Sequence, residues 1–341
     1  MTRKMKHKKL AVLLLTALLL IGLLTACGNN QSSTPGGHVP APNGERTQIR
    51  IGTLRGPTGM GMAALMDWAE AGITENDYAF TLGGTPEEMT AGILSSSLDI
   101  AAVPTNVASV LYNVTEGEVQ VITICALGVF YILDTTGEIQ TVEDLRGRTI
   151  HTAGQGATPE FALAYILRGN GLEPGVDVNI VFNTENAELA SLMIAGEVEI
   201  GLLPQPFATT VTNQDESITI ALDLTEEWSA ISPDSAMAAS SIIVRTAFLE
   251  ENREAVLTFI EEFARSVQFV NANVEEAAEL MERFDIVPAA VARRAIPMSN
   301  LVQIGGAEMI PLIDGFLAVL YEANPQSVGG SMPDEAFFFL G

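Results

Sequence analysis

The sequence predicts an α/β protein made of two similar lobes followed by a helical block. Three observations predict this. Short apolar strands alternate with helical stretches from Gln48 to Leu203, the pattern of parallel sheets flanked by helices. That alternation repeats at an offset of one hundred positions. Beyond Ser240 it gives way to long amphipathic periodicity.

The chain opens on an address rather than a lobe. Met1–Lys9 holds five basic residues and no acid, and Leu10–Leu24 is apolar except at Thr16 and Gly22. This run is shorter than the roughly 20 residues that cross a bilayer, so residues 1–26 read as an export signal. Leu24-Thr25-Ala26-Cys27 follows, and it resembles the lipobox of bacterial lipoproteins, in which Cys27 would carry a diacylglyceryl group. An ordinary signal with an incidental cysteine is the alternative. Residues 27–46 are rich in Gly, Pro, Ser and Asn and read as a flexible tether. The expected location is the outer face of the cell membrane, held by lipid.

In the first lobe, Gln48–Leu54 alternates as a strand and runs into Arg55-Gly56-Pro57-Thr58-Gly59-Met60-Gly61, then a helical stretch Met62–Ala71. Tyr78–Leu82 is a second strand. Thr85, Pro86 and Glu88 have the spacing of a capping box at a helix start. Leu98–Val103 is apolar apart from Asp99, as expected of a strand covered on both faces. Val119–Leu127 supplies one more.

The second set runs through a strand Arg148–Thr152, the turn Gly154-Gln155-Gly156-Ala157-Thr158-Pro159-Glu160 and a helix Phe161–Arg168. A strand Val178–Phe182, a helix Asn186–Ala195 and a strand Val198–Leu203 follow. Gly56, Thr58, Glu88 and Pro104 match Gly156, Thr158, Glu188 and Pro204, and LDIAAVP reads against VEIGLLP with equal polarity at each position. In the tail, Ser240–Arg245 is strand-like. Phe248–Asn271 has the apolar stripe of a long helix, and Glu275–Phe284, Pro288–Ala295 and Glu308–Glu322 are further helices. This block is expected to pack back on the first lobe and lock the pair together.

Charge excludes whole classes of function. The 341 residues carry 17 Lys+Arg against 42 Asp+Glu, a net −25. Without residues 1–26 there remain 12 arginines, no lysine and 42 acids, a net −30. Such a surface repels a polyanion, so no nucleic-acid partner is expected. Two cysteines, Cys27 and Cys125, exclude a disulfide framework, and Cys125 sits in the apolar stretch VITICAL as a buried small hydrophobe. His151 is the only histidine of the folded region, so nucleophilic catalysis finds no partner set. No metal-ligand spacing or cofactor fingerprint occurs. Arg55–Met62 lacks the Gly-Lys-Ser/Thr ending of a P-loop, and Gly56, Gly59 and Gly61 do not have dinucleotide-binding spacing.

The chemistry is expected where strands end in glycine-rich turns. Glycines let the backbone approach a ligand, and free N–H groups at a following helix start point outward. Each turn taken alone is also a plain strand-to-helix connection; the pair favours binding across a cleft at the strand ends. Thr105, Asn106 and Gln205 lie at the same sheet edges, where they serve as polar contacts or as helix caps. Phe130 and Tyr131 wall a cleft or fill a core. Trp228 has no assignment from sequence.

With these features in view, the chain resembles the substrate-binding lipoproteins of ABC importers, in the branch of nitrate-, sulfonate-, taurine- and thiamine-precursor-binding proteins. The most specific stretches are Val142–Arg148 leading to Gly154–Phe161, then Ala195–Ile200 and Met332–Phe338. The resemblance implies a two-lobed periplasmic-binding-protein fold with crossings near Gly128–Tyr131 and Ala238–Ile242. Lobe one would be 47–129 plus 240–341, and lobe two 130–239. It implies a small-molecule ligand, a membrane permease with its ATPase, a monomer, and no catalysis or cofactor. The ligand-binding set it implies is Arg55, Gly56, Pro57, Thr58, Gly59, Met60, Thr85, Thr105, Asn106, Gly154, Gln155, Gly156, Ala157, Thr158 and Gln205. Arg55 is the only cation in that set. A zwitterion or a neutral heteroaromatic compound therefore fits as well as a simple anion. Two rivals remain open: an enzyme on the same fold, like those of menaquinone synthesis, and a sensor that signals to a membrane receptor.

Overall fold

In the computed structural model, residues 46–341 are described. The expected export signal, the expected tether as far as residue 45, and Cys27 lie outside them. Among the described residues, no helix is long and apolar enough to cross a membrane.

The first strand, β1 (Gln48–Leu54), is more buried than its alternation implies, because it pairs in parallel with both β2 (Asp77–Gly83) and β3 (Ile100–Pro104). Between them run helices α1 (Pro57–Met60), α2 (Ala63–Glu70) and α3 (Pro86–Leu94). After α4 (Thr105–Val114) comes β4 (Val119–Ala126), and the chain passes to a second sheet. That sheet holds β5 (Phe130–Asp134), β6 (Thr149–Ala153), β7 (Asn179–Asn183), β8 (Ile200–Pro204) and β9 (Thr219–Asp223). Its helices are α5 (Thr158–Gly169), α6 (Asn186–Ile194), α7 (Phe207–Gln214) and α8 (Leu224–Ile231). The chain then returns to the first sheet as β10 (Ser240–Arg245) and, later, β11 (Leu301–Ile304).

The strand orders are β2-β1-β3-β10-β4-β11 and β7-β6-β8-β5-β9. Apart from β11, each sheet has the same plan: three parallel strands, one antiparallel strand that arrives from the other sheet, then one more. The hundred-residue offset holds in space. Helices α3 and α6, and strands β3 and β8, occupy equivalent places at 86–94 and 186–194, and at 100–104 and 200–204. The cap repeats too. Gly84 N–H donates to the Glu88 carboxylate at 3.1 Å, and Thr184 N–H donates to Glu188 at 2.9 Å. This corrects the expected capping box, because the Thr85 side chain makes no cap bond and Glu88 reaches one residue further back.

The tail forms α9 (Thr246–Glu251), α10 (Arg253–Ala272), α11 (Val274–Arg283), α12 (Ala289–Ala295) and α13 (Met309–Ala323). The single long helix expected from Phe248 is broken at Asn252, whose backbone leaves the helical region and caps α10 instead. Helices α2, α10, α11 and α12 cover one face of the first sheet around Phe259 and Phe263. Helix α13 lies on the other face, and its core continues into the second lobe. There Trp228, fully buried, packs with its ring tilted against Tyr165 of α5 at 4.5 Å and Phe316 of α13 at 5.7 Å between ring centres, and its indole N–H donates to Ser235 Oγ at 2.9 Å. The residue that sequence left unassigned is the apolar joint between the C-terminal helix and the second lobe.

The buried charge inside this frame is paired. Asp99, 2% exposed, accepts from Arg50 Nη2 at 2.6 Å and Arg245 Nη2 at 2.7 Å, and from Arg50 N–H at 3.0 Å. Burial alone would raise its pKa, but the arginine and backbone donors outweigh it and hold the carboxyl below the usual range. Cys125 is buried in β4, and burial pushes its thiol up to about 12.

Candidate functional site

Both glycine-rich turns leave the carboxyl ends of parallel strands, β1 and β6, and each opens a helix. In the first turn Gly56 takes φ 109°, a region open to glycine. Gly59 allows close approach: a Cβ there would sit 2.6 Å from the Leu54 carbonyl oxygen. Gly56, Thr58 and Gly59 are buried, and among the described residues their N–H groups have no acceptor. These are N–H groups at the start of a helix, which have no partner within it, so they are open to solvent or to a ligand. Pro57 fixes the backbone at the first helical position and has no N–H to satisfy.

The second turn is closed in part by its own side chain. Gly154 and Gly156 take φ 82° and 74°, Ala157 caps α5, and Ala157 N–H donates to the Gly154 carbonyl at 3.1 Å. Gly156 N–H donates to the Glu160 carboxylate at 2.6 Å. Gln155 and Thr158 keep N–H groups with no acceptor among the described residues. The two turns match in sequence but differ in use. Thr58 Oγ1 bonds back to the Leu54 N–H and carbonyl, at 3.3 and 3.2 Å. Thr158 Oγ1 instead reaches across to Asn106 Oδ1 at 3.5 Å, so an edge of the first sheet and the turn of the second meet.

A second bridge lies close by. Met298, between α12 and β11, accepts the Tyr131 hydroxyl on its carbonyl at 2.5 Å, and its sulfur is 3.9 Å from Gln205 Nε2. Burial, and then the neighbouring Asp223, push the Tyr131 phenol above its ordinary value, so it remains a donor. The next residue, Ser299, donates its hydroxyl to the Ala295 carbonyl at 2.7 Å, and the Met60 sulfur lies 3.7 Å from the same oxygen. Met298 and Ser299 thus lie between Met60 of the first turn and Gln205 at the end of β8. Asn300 completes the seam: its Nδ2 donates to the Gly128 carbonyl at 2.6 Å and to Thr225 Oγ1 at 3.3 Å.

Three of the expected site residues, Met60, Thr105 and Gln205, are buried. Met60 has no exposed surface and belongs to the first-lobe core. Thr105 is fully buried, with its hydroxyl 2.8 Å from Ser241 Oγ. Gln205 is 3% exposed, and its Oε1 accepts from Thr209 at 2.8 Å. Thr85 is exposed at the start of α3. Arg55 is not free, since it donates to the Asp285 carboxylate at 2.8 Å and to the Asp285 carbonyl at 3.2 Å. Sequence reading missed Asp285, Met298, Ser299 and Asn300, which come from the tail and carry no motif.

Four of the cavities on the described residues have volumes of 230 to 450 Å³, and neither turn lines any of these four. The one of 390 Å³ opens between the lobes beside Arg294, Met298, Thr212 and Glu216. Among the described residues no cluster of His, Cys, Asp and Glu has the arrangement to hold a metal ion.

Residues 119–277 match the family model described as NMT1/THI5 like. A search of curated proteins returned no match. Solved structures resemble the chain along most of its length. An ABC transporter protein from Parabacteroides distasonis is 21% identical with a TM-score of 0.72, covering 86% of this chain and 98% of that one. The periplasmic aliphatic sulphonate binding protein SsuA from Escherichia coli is 17% identical with a TM-score of 0.69, covering 87% and 92%. The periplasmic nitrate-binding protein NrtA from Synechocystis PCC 6803 is 15% identical with a TM-score of 0.54, covering 74% and 70%. The chain thus has the two-lobed α/β fold of the periplasmic binding proteins of ABC transporters, and through residues 119–277 it matches the NMT1/THI5-like family.

Proposed function

We propose that the protein is an extracytoplasmic solute-binding lipoprotein that takes one small molecule between its lobes and delivers it to an ABC permease. The lobes would divide as 47–129 plus 240–341 and 130–239, with a lipid on Cys27 holding the protein at the membrane. The observation that supports the reading is the meeting of Asn106, at the end of the strand beside β1 on one lobe, with Thr158, in the turn after β6 on the other. The likeness to binding proteins for a sulphonate and for nitrate supports solute capture over catalysis.

Capture would work by population shift. The Asn106–Thr158 and Met298 contacts close the seam, and a solute that satisfies donors on both lobes favours the closed form over an open one by its differential affinity. Helix α13 limits the motion, because its apolar joint at Trp228 travels with both lobes. Native mass spectrometry of the full chain, purified without refolding, tests the reading. One small molecule per chain is expected, and its removal should lower the melting temperature. A chain that carries nothing, and that no host extract stabilises, contradicts solute capture.

A further inference from the structure

We infer that the seam selects against anions and that the solute is uncharged, zwitterionic or cationic. The inference rests on the solute-binding reading above and narrows it. It comes from a census of charge. From residue 46 onward the chain has no lysine, and eleven of its twelve arginines have a carboxylate within 4 Å. Arg55, the one cation beside the turns, is among the eleven: Asp285 holds it through both its side chain and its backbone. Arg294 alone lacks such a partner among the described residues. It lines the separate groove with Thr212, Glu216 and Met298, which neither turn reaches.

The donors an anion needs are also partly taken by anions of the chain itself. Glu160 occupies the Gly156 N–H at 2.6 Å, and Glu88 occupies the Gly84 N–H at 3.1 Å, each at the strand end where the first turn of a helix offers its positive pole. A second negative charge brought within about 5 Å of either carboxylate loses affinity by between about fourfold and a few hundredfold, depending on how dry the seam is. The donors left open, at Gly56, Thr58, Gly59, Gln155 and Thr158, are neutral amides. Such amides take carbonyl and ring-nitrogen acceptors as readily as they take an anion, so the discrimination falls to the two carboxylates, which suit a cationic or N–H-bearing edge.

The test uses the full chain and two variants, Glu160→Gln and Glu88→Gln. Each variant keeps an acceptor for its N–H but removes the charge. Each protein is exposed to a soluble extract of its host, washed and denatured, and the released small molecules are read in positive- and negative-ion modes. The wild type should release a molecule with no net negative charge, and at least one variant should retain anions that the wild type rejects. An alkanesulfonate, nitrate or other anion released by the wild type overturns the charge selection and leaves solute capture standing. An unchanged profile in both variants overturns the role given to the two carboxylates. Release of nothing from any of the three contradicts capture itself, and the selection with it.

Discussion

Replacing Gly128 by alanine probes the crossing between the sheets with a single methyl group. Gly128 has no positive φ, so alanine meets no backbone strain and its cost is purely steric. The added Cβ would sit 2.3 Å from Thr225 Oγ1 and 2.9 Å from the Met237 sulfur. Neither neighbour yields freely. Thr225 is β-branched and its N–H is fixed on the Asp223 carboxylate at 2.8 Å, while Met237 is fully buried. Turning Thr225 away also breaks its 3.3 Å bond from Asn300, worth about 1 kcal/mol. Overpacking of this kind costs about 1–3 kcal/mol. For a folded region of this size that lowers the melting temperature by roughly 2–5 °C. Urea unfolding of Gly128→Ala, Thr225→Ala and the double variant measures it. Deleting the threonine hydroxyl should recover at least about 1 kcal/mol of the alanine's cost. A Gly128→Ala protein as stable as wild type, or costs that simply add in the double variant, would refute the claim that the crossing is packed against α8.

Three further outcomes follow from the same geometry. Trp228→Ala should destabilise by about 3–5 kcal/mol in chemical unfolding, because it empties the joint between α5, α8 and α13 and strips Ser235 of its indole donor; a loss under about 1 kcal/mol would show that the helix is held elsewhere. Stability should fall in acid through Asp99 and Asp134, whose folded pKa values are both lowered. A lowered carboxyl contributes fully above its unfolded value of about 3.9 and loses that contribution as pH drops through its folded value, so melting temperature should be flat near neutrality and decline below about pH 4. Asp99→Asn should flatten that decline, and an unaltered acid limb would contradict it. Thr158→Ala should change stability by less than about 1 kcal/mol, since its bond to Asn106 is long and half-exposed, yet weaken solute retention severalfold; equal retention would detach Thr158 from the site.

What the sequence made legible was whatever repeats locally. The offset that joins Glu88 to Glu188 and Pro104 to Pro204 is visible because the same strand–helix unit must bury the same face twice, and the structure keeps those places in register. The antiparallel strands were harder. β5, five residues long, reads as a passage between lobes, and β11, four residues long, has no periodicity of its own and exists because β4 offers it an edge. The site was legible in its backbone and not in its side chains. Turn glycines announce themselves by type, whereas the ion pair that ties Arg55 to Asp285 joins residues 230 positions apart. Likewise Met60 lies in a turn and Thr105 at a strand end, yet both face inward, one into a core beside Ser299 and one onto Ser241. Only the returning tail decides which way those neighbours point.

Amide hydrogen exchange of the full chain, with and without the solute fraction it retains, reads the central claim at the residues that carry it. The account predicts that protection rises together at Gly56–Gly59 on one lobe and at Gln155–Thr158 on the other. Protection confined to one turn, or appearing instead around the Arg294 groove, would mean that the solute is not held between the two.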